Sequence, residues 1–475
     1  MAKRTAQADL QVIPRLSRET LYVGVDIGKK THVAGFVSTT LLSRHQRFEH
    51  CPALSFENSR EGFRSLVDRI SSYVPLTQVY VVMEVTGHYH RPLLHYLQEL
   101  DFPVYVMHVQ KRQEGLLKTD KRDALGLGNL LFNQLEKGIQ MGDPMQAVRR
   151  LAPPTEAASQ LRGMVQHRQE LTVESTRRKN KLTSICDEVF PEFVQILKDP
   201  NLPTALAIRK RFPTPAALAT ASLLDLQELR GKNRSLSDAK LLELQRLAVQ
   251  SIGTKEPARL RGLIFEQTQL IAELELIQAH LEQLETEMAQ VIDHCREGKI
   301  LTSIPGIGPT QAAAILASIG TIANFERAAQ LKSYFGWAPS VAQSGSTLNH
   351  VRLTPRGQRQ MKLTMYLVVW QAIRLKDSEW SKIYERLVPI KCSFNEKTHQ
   401  YAGRGKVIGR IAGQMISVIY ALLKQDLETL SKTPSGAKPP DPVLYNPEIH
   451  HKHRAGQYRA SVQKKPHNVI ELPPH

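Results

Sequence analysis

The sequence predicts an α/β domain followed by a mainly helical remainder, an α/β plus all-α chain. Three observations carry this. Short β-branched runs alternate with amphipathic stretches between about Thr20 and Leu135, a long polar stretch with helical spacing follows from about Glu156, and apolar residues alternate steps of four and three between Leu263 and Ile292.

The elements follow in order. LYVGVDIG reads as a buried strand ending in a turn at Gly28, THVAGFVS as a second strand, and the segment after Ser59 as a helix with Phe63, Leu66 and Ile70 on one face. QVYVVMEV and PVYVMHV supply two more strands, and a helix is expected from about Thr119 through NLLFNQL. From about Glu156 to Glu188 a long polar helix carries Leu161, Val165, Leu171, Leu182 and Ile185 inward. Its remaining surface bears His167, Arg168, Arg177, Arg178, Lys179 and Lys181, either as a solvated basic face or as a nucleic-acid contact. Pro203, Pro213 and Pro215 then separate short helices up to about Gly253.

Leu270, Leu274, Ile277, Leu281, Leu284, Met288 and Val291 form a coiled-coil seam, which pairs either with the earlier long helix or with a second protomer. SIPGIGPTQAAAILASIG opens a further region that runs through a Gly/Ser-rich loop into helices ending near Leu423. The segment after about Lys432, rich in Pro, His and Lys, is expected to lack structure, with His450, His451 and His453 solvated. The expected boundaries are a basic extension over 1–19, a catalytic α/β domain over 20–150, a helical and coiled-coil middle over 151–297, a helical domain with a serine loop over 298–431, and a tail over 432–475.

Lysine and arginine outnumber the acids 63 to 45 in the 475 residues, a net charge of +18. With a pI near 9.7 this favours a polyanionic partner, nucleic acid first. Cys51, Cys186, Cys295 and Cys392 have neither disulfide-framework nor zinc-site spacing. No apolar run reaches the roughly 18 residues of a membrane span, so a cytoplasmic protein with no membrane partner is expected.

Candidate chemistry lies in carboxylates. Asp26 ends the first strand and Glu84 ends VVMEV, so if the strands are neighbours both acids emerge on one rim, where α/β sheets place functional groups. An unpaired charge ending an apolar strand is costly. Asp120 and Asp123 stand three apart on a predicted helix and project from one face, although pairing with Lys or Arg in KTDKRDA is an alternative. Four such acids suit Mg²⁺ or Mn²⁺, and paired ions of this kind serve phosphodiester chemistry.

The phrases GVDIGKKTH, MEVTGHYHRPLLHYL, FPVYVMHV and KTDKRDA, in this order and spacing, resemble the RuvC-like (RNase H-type) domain of DEDD transposases of the insertion sequence 110 group. LTSIPGIGPTQAAAILASIG, FERAAQLKSYFGWAPSVAQSGS and VRLTPRGQRQMK are similar to that family's C-terminal transposase domain, so the resemblance spans roughly residues 20 to 425.

It implies that Asp26, Glu84, Asp120 and Asp123 are the catalytic, metal-binding tetrad and that a serine after GxxP, here Ser344, is a nucleophile toward DNA. The loop departs from the family pattern: Ser340 follows Pro339 where a basic residue is usual, and Gln343-Ser344-Gly345-Ser346 replaces paired Ser and Gly, which leaves Ser346 as a second candidate. Arg352, Arg356, Arg359 and Lys362, on a predicted helical start, could hold phosphates, as could the basic face at Arg168, Arg177, Arg178, Lys179 and Lys181.

The resemblance further implies excision and insertion of a mobile element, donor and target DNA specified by a structured guide RNA, and a homodimer or homotetramer in which the serine of one protomer completes the carboxylate site of another. Three rival readings stand beside it: a Piv-like site-specific invertase, which shares these motifs, a RuvC-like junction nuclease that uses water without a covalent intermediate, and a non-catalytic nucleic-acid-binding protein that kept the fold.

Overall fold

The computed structural model describes residues 16, 19–85, 87–108, 119–138, 149–150, 152–230, 236–344, 348–434 and 436–451. The basic extension, apart from residues 16 and 19, and residues 452–475, His453 among them, lie outside the described residues. The chain divides into two units, residues 1–153 and 154–475.

In the first unit the β-branched runs form β1 (Leu21–Asp26), β2 (Thr31–Val37), β4 (Val79–Val85) and β5 (Val104–His108), joined by β3 (Ala53–Glu57) and β6 (Arg149–Arg150). The sheet order is β3-β2-β1-β4-β5-β6, with β1, β4 and β5 parallel and the other neighbours antiparallel. Helix α1 (Thr39–His45) follows β2, capped by the Ser38 hydroxyl, α2 (Arg60–Tyr73) follows β3, and α3 (Arg91–Glu99) follows β4. On one face of the sheet α2 buries Phe63, Leu66, Ile70 and Tyr73, with the Tyr73 ring 5.3 Å from Phe36 of β2. Full burial of Leu66 and Ile70 contributes on the order of 2 kcal/mol each. α3 shares this face, since Tyr96 meets Phe63. The opposite face carries α4 (Asp120–Glu136), which lies on β1 and β2.

The second unit is built on two long helices, α5 (Glu156–Val189) and α11 (Pro257–His294). Arg168–Glu285, Arg178–Glu273, Lys181–Glu266 and Glu188–Arg259 pair in opposite order along them, so the helices run antiparallel. The partner of the apolar seam is thus α5 of the same chain. The buried stripe of α11 is Leu263, Gln267, Ile271, Leu274, Ile277, Met288 and Ile292; of the expected seam only Leu274, Ile277 and Met288 are buried, 271 and 292 replace 270 and 291, and Leu281 and Leu284 are half-buried.

At the far end of the pair, α6 (Phe193–Ile196), α7 (Pro203–Arg211), α8 (Pro215–Ala219), α9 (Leu223–Arg230) and α10 (Asp238–Val249) enclose a small core around Phe193, Ile208, Leu226 and Leu244. Arg209 is buried there. Its guanidinium donates to the carbonyls of Leu182 (2.8 Å) and Pro200 (3.1 Å) and to Gln267 Oε1 (2.7 Å), tying α7 to both long helices.

At the near end, α12 (Arg296–Thr302), α13 (Pro309–Ile319), α14 (Ala328–Tyr334), α15 (Arg359–Arg374), α16 (Glu379–Lys391) and α17 (Gly405–Lys432) form the large core with the start of α5 and the end of α11. Two hairpins accompany them, β7 (Pro339–Ser344) with β8 (Leu348–Leu353), and β9 (Ser393–Asn395) with β10 (Gln400–Ala402). α17 is long and apolar enough to cross a membrane by length and composition, and it packs Ile411, Met415, Ile419 and Leu422 into this core. Part of the tail expected to lack structure is ordered. Tyr445 stacks on Trp380 at 6.3 Å and its amide donates to Ser303 Oγ at 2.9 Å, because a buried indole offers a surface that composition alone does not reveal.

Candidate active site

Asp26 and Glu84 are neighbours on the sheet. The parallel register pairs Gly24 with Val82 and Val25 with Met83, so one step further places Asp26 beside Glu84 on strands about 4.8 Å apart. Residues two apart share a face. Tyr22 and Tyr80 stack on the face that carries α4, since Tyr22 also meets Phe132 and donates its hydroxyl to Glu136 Oε1 at 2.6 Å. Gly24 lies directly beneath α4, and therefore Asp26 and Glu84 share the α4 face. Both are half-buried.

α4 brings the other two acids to the same end. It runs antiparallel to β1, with Glu136 over Tyr22 and Ala124 and Gly128 over Gly24. Four helical residues rise about 6 Å and two strand residues about 6.6 Å. The first turn of α4, with Asp120 exposed and Asp123 buried, accordingly falls at the level of Asp26. Thr119 caps the helix by accepting from the Arg122 amide, and the positive end of the helix dipole favours carboxylates in this turn.

The helix sits this low on the sheet because Gly24 and Gly35 beneath it, and Gly128 on its own face, lack side chains. A Cβ on Gly24 would lie 2.1 Å from the Ala124 carbonyl oxygen, and one on Gly35 would lie 2.7 Å from the Leu125 amide. Sequence reasoning missed both glycines, although their pairing across β1 and β2 follows from the hairpin register.

Lys29 and Lys30 are exposed on the turn after Asp26. The turn is held by Gly28 N donating to His32 Nδ1 (3.2 Å), Asn58 Nδ2 to the Lys29 carbonyl (3.3 Å) and Asn58 N to the Lys30 carbonyl (2.8 Å). His32 is fully buried against Phe56 and Phe63, and burial pushes its pKa down, against an opposing contribution from Asn58. Neither His32 nor Asn58 is visible as a positioning residue in the sequence.

By donor chemistry the four carboxylates, which offer oxygen alone, suit a hard divalent ion. Among the described residues, no three His, Cys, Asp or Glu side chains group closely enough to hold an ion.

In the second unit, the expected Gly/Ser-rich loop is the β7–β8 hairpin. Ser344 ends β7 opposite Leu348, and Ser346 lies outside the described residues. Arg352 stands in β8 opposite Ser340, not on a helical start, because the alternation of LNHVRL suits a strand. Arg356 is exposed in the following turn, and Arg359 opens α15. GIGP joins α12 to α13, and a Cβ on Gly306 (φ 90°) would lie 2.7 Å from the Val368 carbonyl of α15, which explains that glycine by packing.

The basic face of α5 is divided. Arg168, Arg178 and Lys181 face glutamates of α11 at 2.6, 2.6 and 3.3 Å, while Arg177 and Lys179 are exposed to solvent.

The first unit is thus a mixed sheet with acids at one end beneath the first turn of a crossing helix, and a helical unit follows it in the chain. Residues 23–191 match the DEDD transposase family of IS110 type, and residues 298–385 match the transposase IS116/IS110/IS902 family. The chain belongs to the IS110-type DEDD transposases, enzymes that recombine DNA. It is 26% identical over 333 residues to an insertion element IS110 protein of 43.6 kDa from Streptomyces coelicolor, covering 68% of this chain and 75% of the relative. It is 22% identical to a 44.8 kDa insertion element IS116 protein of Streptomyces clavuligerus, covering 45% and 53%. It is 30% identical to the transposase proposed for the IS117 mini-circle of Streptomyces coelicolor, covering 48% and 54%.

Proposed function

We propose that the chain excises and inserts a mobile element by metal-assisted DNA strand transfer, directed to its sites by a structured RNA, with Asp26, Glu84, Asp120 and Asp123 as metal ligands and Ser344 as nucleophile. The observation that supports this reading is the register that sets Asp26 beside Glu84, at the sheet end whose level the acidic first turn of α4 shares.

Asp26, Glu84, Asp120 and Asp123 would hold divalent magnesium or manganese, which would supply charge neutralisation for phosphodiester chemistry. Asp26 and Glu84 provide ligand oxygens fixed by strand register, and the burial of Asp123 limits the rotamers of a third. Lys29 and Lys30 approach the phosphates on either side from the pinned turn.

The Ser344 hydroxyl gives up its proton and its Oγ bonds to phosphorus, while the bond from phosphorus to the leaving strand's oxygen breaks and that oxygen takes up a proton. A hydroxyl of the incoming strand then attacks the same phosphorus, the Oγ–P bond breaks, and the serine is restored. Two transesterifications conserve the phosphodiester bonds, so no external energy source is needed. Exposed Arg177 and Lys179 and the net charge of +18 support a structured RNA partner. Assembly as a dimer or tetramer brings the serine of one copy to the carboxylates of another.

The test is a nicked suicide DNA substrate. Wild type forms a covalent adduct that chelation abolishes and Mg²⁺ restores, Ser344→Ala forms none, and Ser346→Ala behaves as wild type. Asp26→Asn lowers cleavage on the order of 10²- to 10³-fold without unfolding the chain. An adduct with Ser344→Ala refutes the serine assignment, and copurifying RNA that does not come from beside the gene refutes guidance.

A further inference from the structure

The β9–β10 hairpin lies beyond the segment that matches the transposase family, which ends at residue 385, and no step of the proposed reaction uses it. Its register pairs Ser393 with Ala402, Phe394 with Tyr401 and Asn395 with Gln400. A two-stranded ribbon this short is marginal in water by itself. This one is secured at both ends. At the base, Tyr401 and Cys392 pack against the large helical core and Arg404 Nε donates to the Tyr401 carbonyl at 3.1 Å. At the tip, Asn395 Oδ1 accepts from the amides of Lys397 (3.0 Å) and Thr398 (3.3 Å), and His399 takes a left-handed backbone, φ 48°.

The hairpin presents an exposed aromatic ring on a stretch of sequence rich in cations. Phe394 is 50% exposed, 5.1 Å from the Tyr401 ring and 6.4 Å from His399. Residues 386–410 contain six Lys or Arg and one acid, Glu396. Lys391, Lys397 and Lys406 are exposed, and Lys406 sits in the first turn of α17, where the helix dipole disfavours a cation. Helix stability therefore does not account for that charge. Lysine is depleted in protein–protein interfaces, whereas an exposed ring flanked by cations suits a base and its phosphates.

We propose that the β9–β10 hairpin binds an unpaired stretch of nucleic acid, with a base stacked on Phe394 and the adjoining phosphates held by Lys391, Lys397 and Lys406. Stacking requires a free base face, so an intact duplex is the weaker ligand. DNA and RNA share this chemistry. The inference deepens the transposase reading by naming a strand contact separate from the carboxylates.

The test uses the full chain and labelled single-stranded DNA, single-stranded RNA and duplex DNA in fluorescence anisotropy. Phe394→Ala weakens single-strand binding about tenfold, Phe394→Leu does nearly the same, and Phe394→Trp retains affinity with quenched fluorescence of the added indole. The strand type that loses more identifies the source. The triple variant Lys391→Gln, Lys397→Gln, Lys406→Gln reduces the salt slope for single strands by about 2. Wild-type affinity in Phe394→Leu refutes stacking, and an unchanged slope in the triple variant refutes the phosphate contacts. Cleavage by Asp26→Asn is read in a separate assay, so a failure of the catalytic reading leaves the effect of the hairpin variants on single-strand binding standing.

Discussion

Replacing Gly24 with alanine puts one methyl group between β1 and α4. That carbon would stand 2.1 Å from the Ala124 carbonyl oxygen and 2.3 Å from the Gly128 amide nitrogen, and real Cβ contacts do not close below 3.0 Å. Both obstacles are backbone, so no side chain can swing aside and α4 must lift by roughly 1 Å. Overpacking of this kind costs about 1–3 kcal/mol, and in a unit of this size each kcal/mol lowers the melting temperature by about 2–4 °C. The lift also withdraws Asp120 and Asp123 from Asp26 and Glu84. A misplacement of about 1 Å at reacting groups lowers rate on the order of 10²-fold.

The assay pairs Mg²⁺-dependent cleavage of the suicide substrate with thermal unfolding, both well below the melting temperature of the variant. Gly126→Ala is the control. Gly126 is on the same helix with only the Phe48 ring near, at 3.9 Å, so alanine there gains about 0.5–1 kcal/mol and leaves cleavage unchanged. Cleavage by Gly24→Ala within threefold of wild type would show that the seating of α4 does not set the active geometry.

Two further outcomes follow from buried polar groups. His32 has its pKa lowered by burial, so as pH falls the unfolded chain protonates first, at about 6.5. Stability contributed by the neutral ring is complete above that value and declines below it. His32→Asn, which keeps an acceptor for Gly28 N, flattens the decline in melting temperature between about pH 7 and 5, and an unchanged pH profile would refute this role. Arg209→Met strips donors from Leu182, Pro200 and Gln267, costing about 3 kcal/mol at roughly 1 kcal/mol each; a loss under about 1 kcal/mol in urea unfolding would exclude Arg209 as the clamp.

Strands β1, β2, β4 and β5 were legible because buried strands need continuous β-branched runs, and α5 because a helix of 34 residues repeats its pattern many times. β3 was not, since an edge strand with one buried residue in five carries almost no alternation. Strand ends pointed to Asp26 and Glu84, but their adjacency needs the register, and the placement of Asp120 and Asp123 depends on glycines 24 and 35, whose contribution is missing atoms. Charges on α5 read as one surface, whereas Arg168 and Arg178 meet glutamates more than ninety residues away, a separation that no local pattern encodes.

The pairing of α5 with α11 has a mechanical meaning. A helix of 34 residues is about 50 Å long, so the small core of α6 to α10 rides at the tip of a lever whose fulcrum lies in the large core. A turn of 5° at the fulcrum carries the tip roughly 4 Å. The two members are cross-braced by partly exposed ion pairs whose 2.6 Å contacts lie well inside the roughly 8 Å screening length at physiological ionic strength, so the brace stands beside the apolar stripe between the helices as a contact along the whole beam.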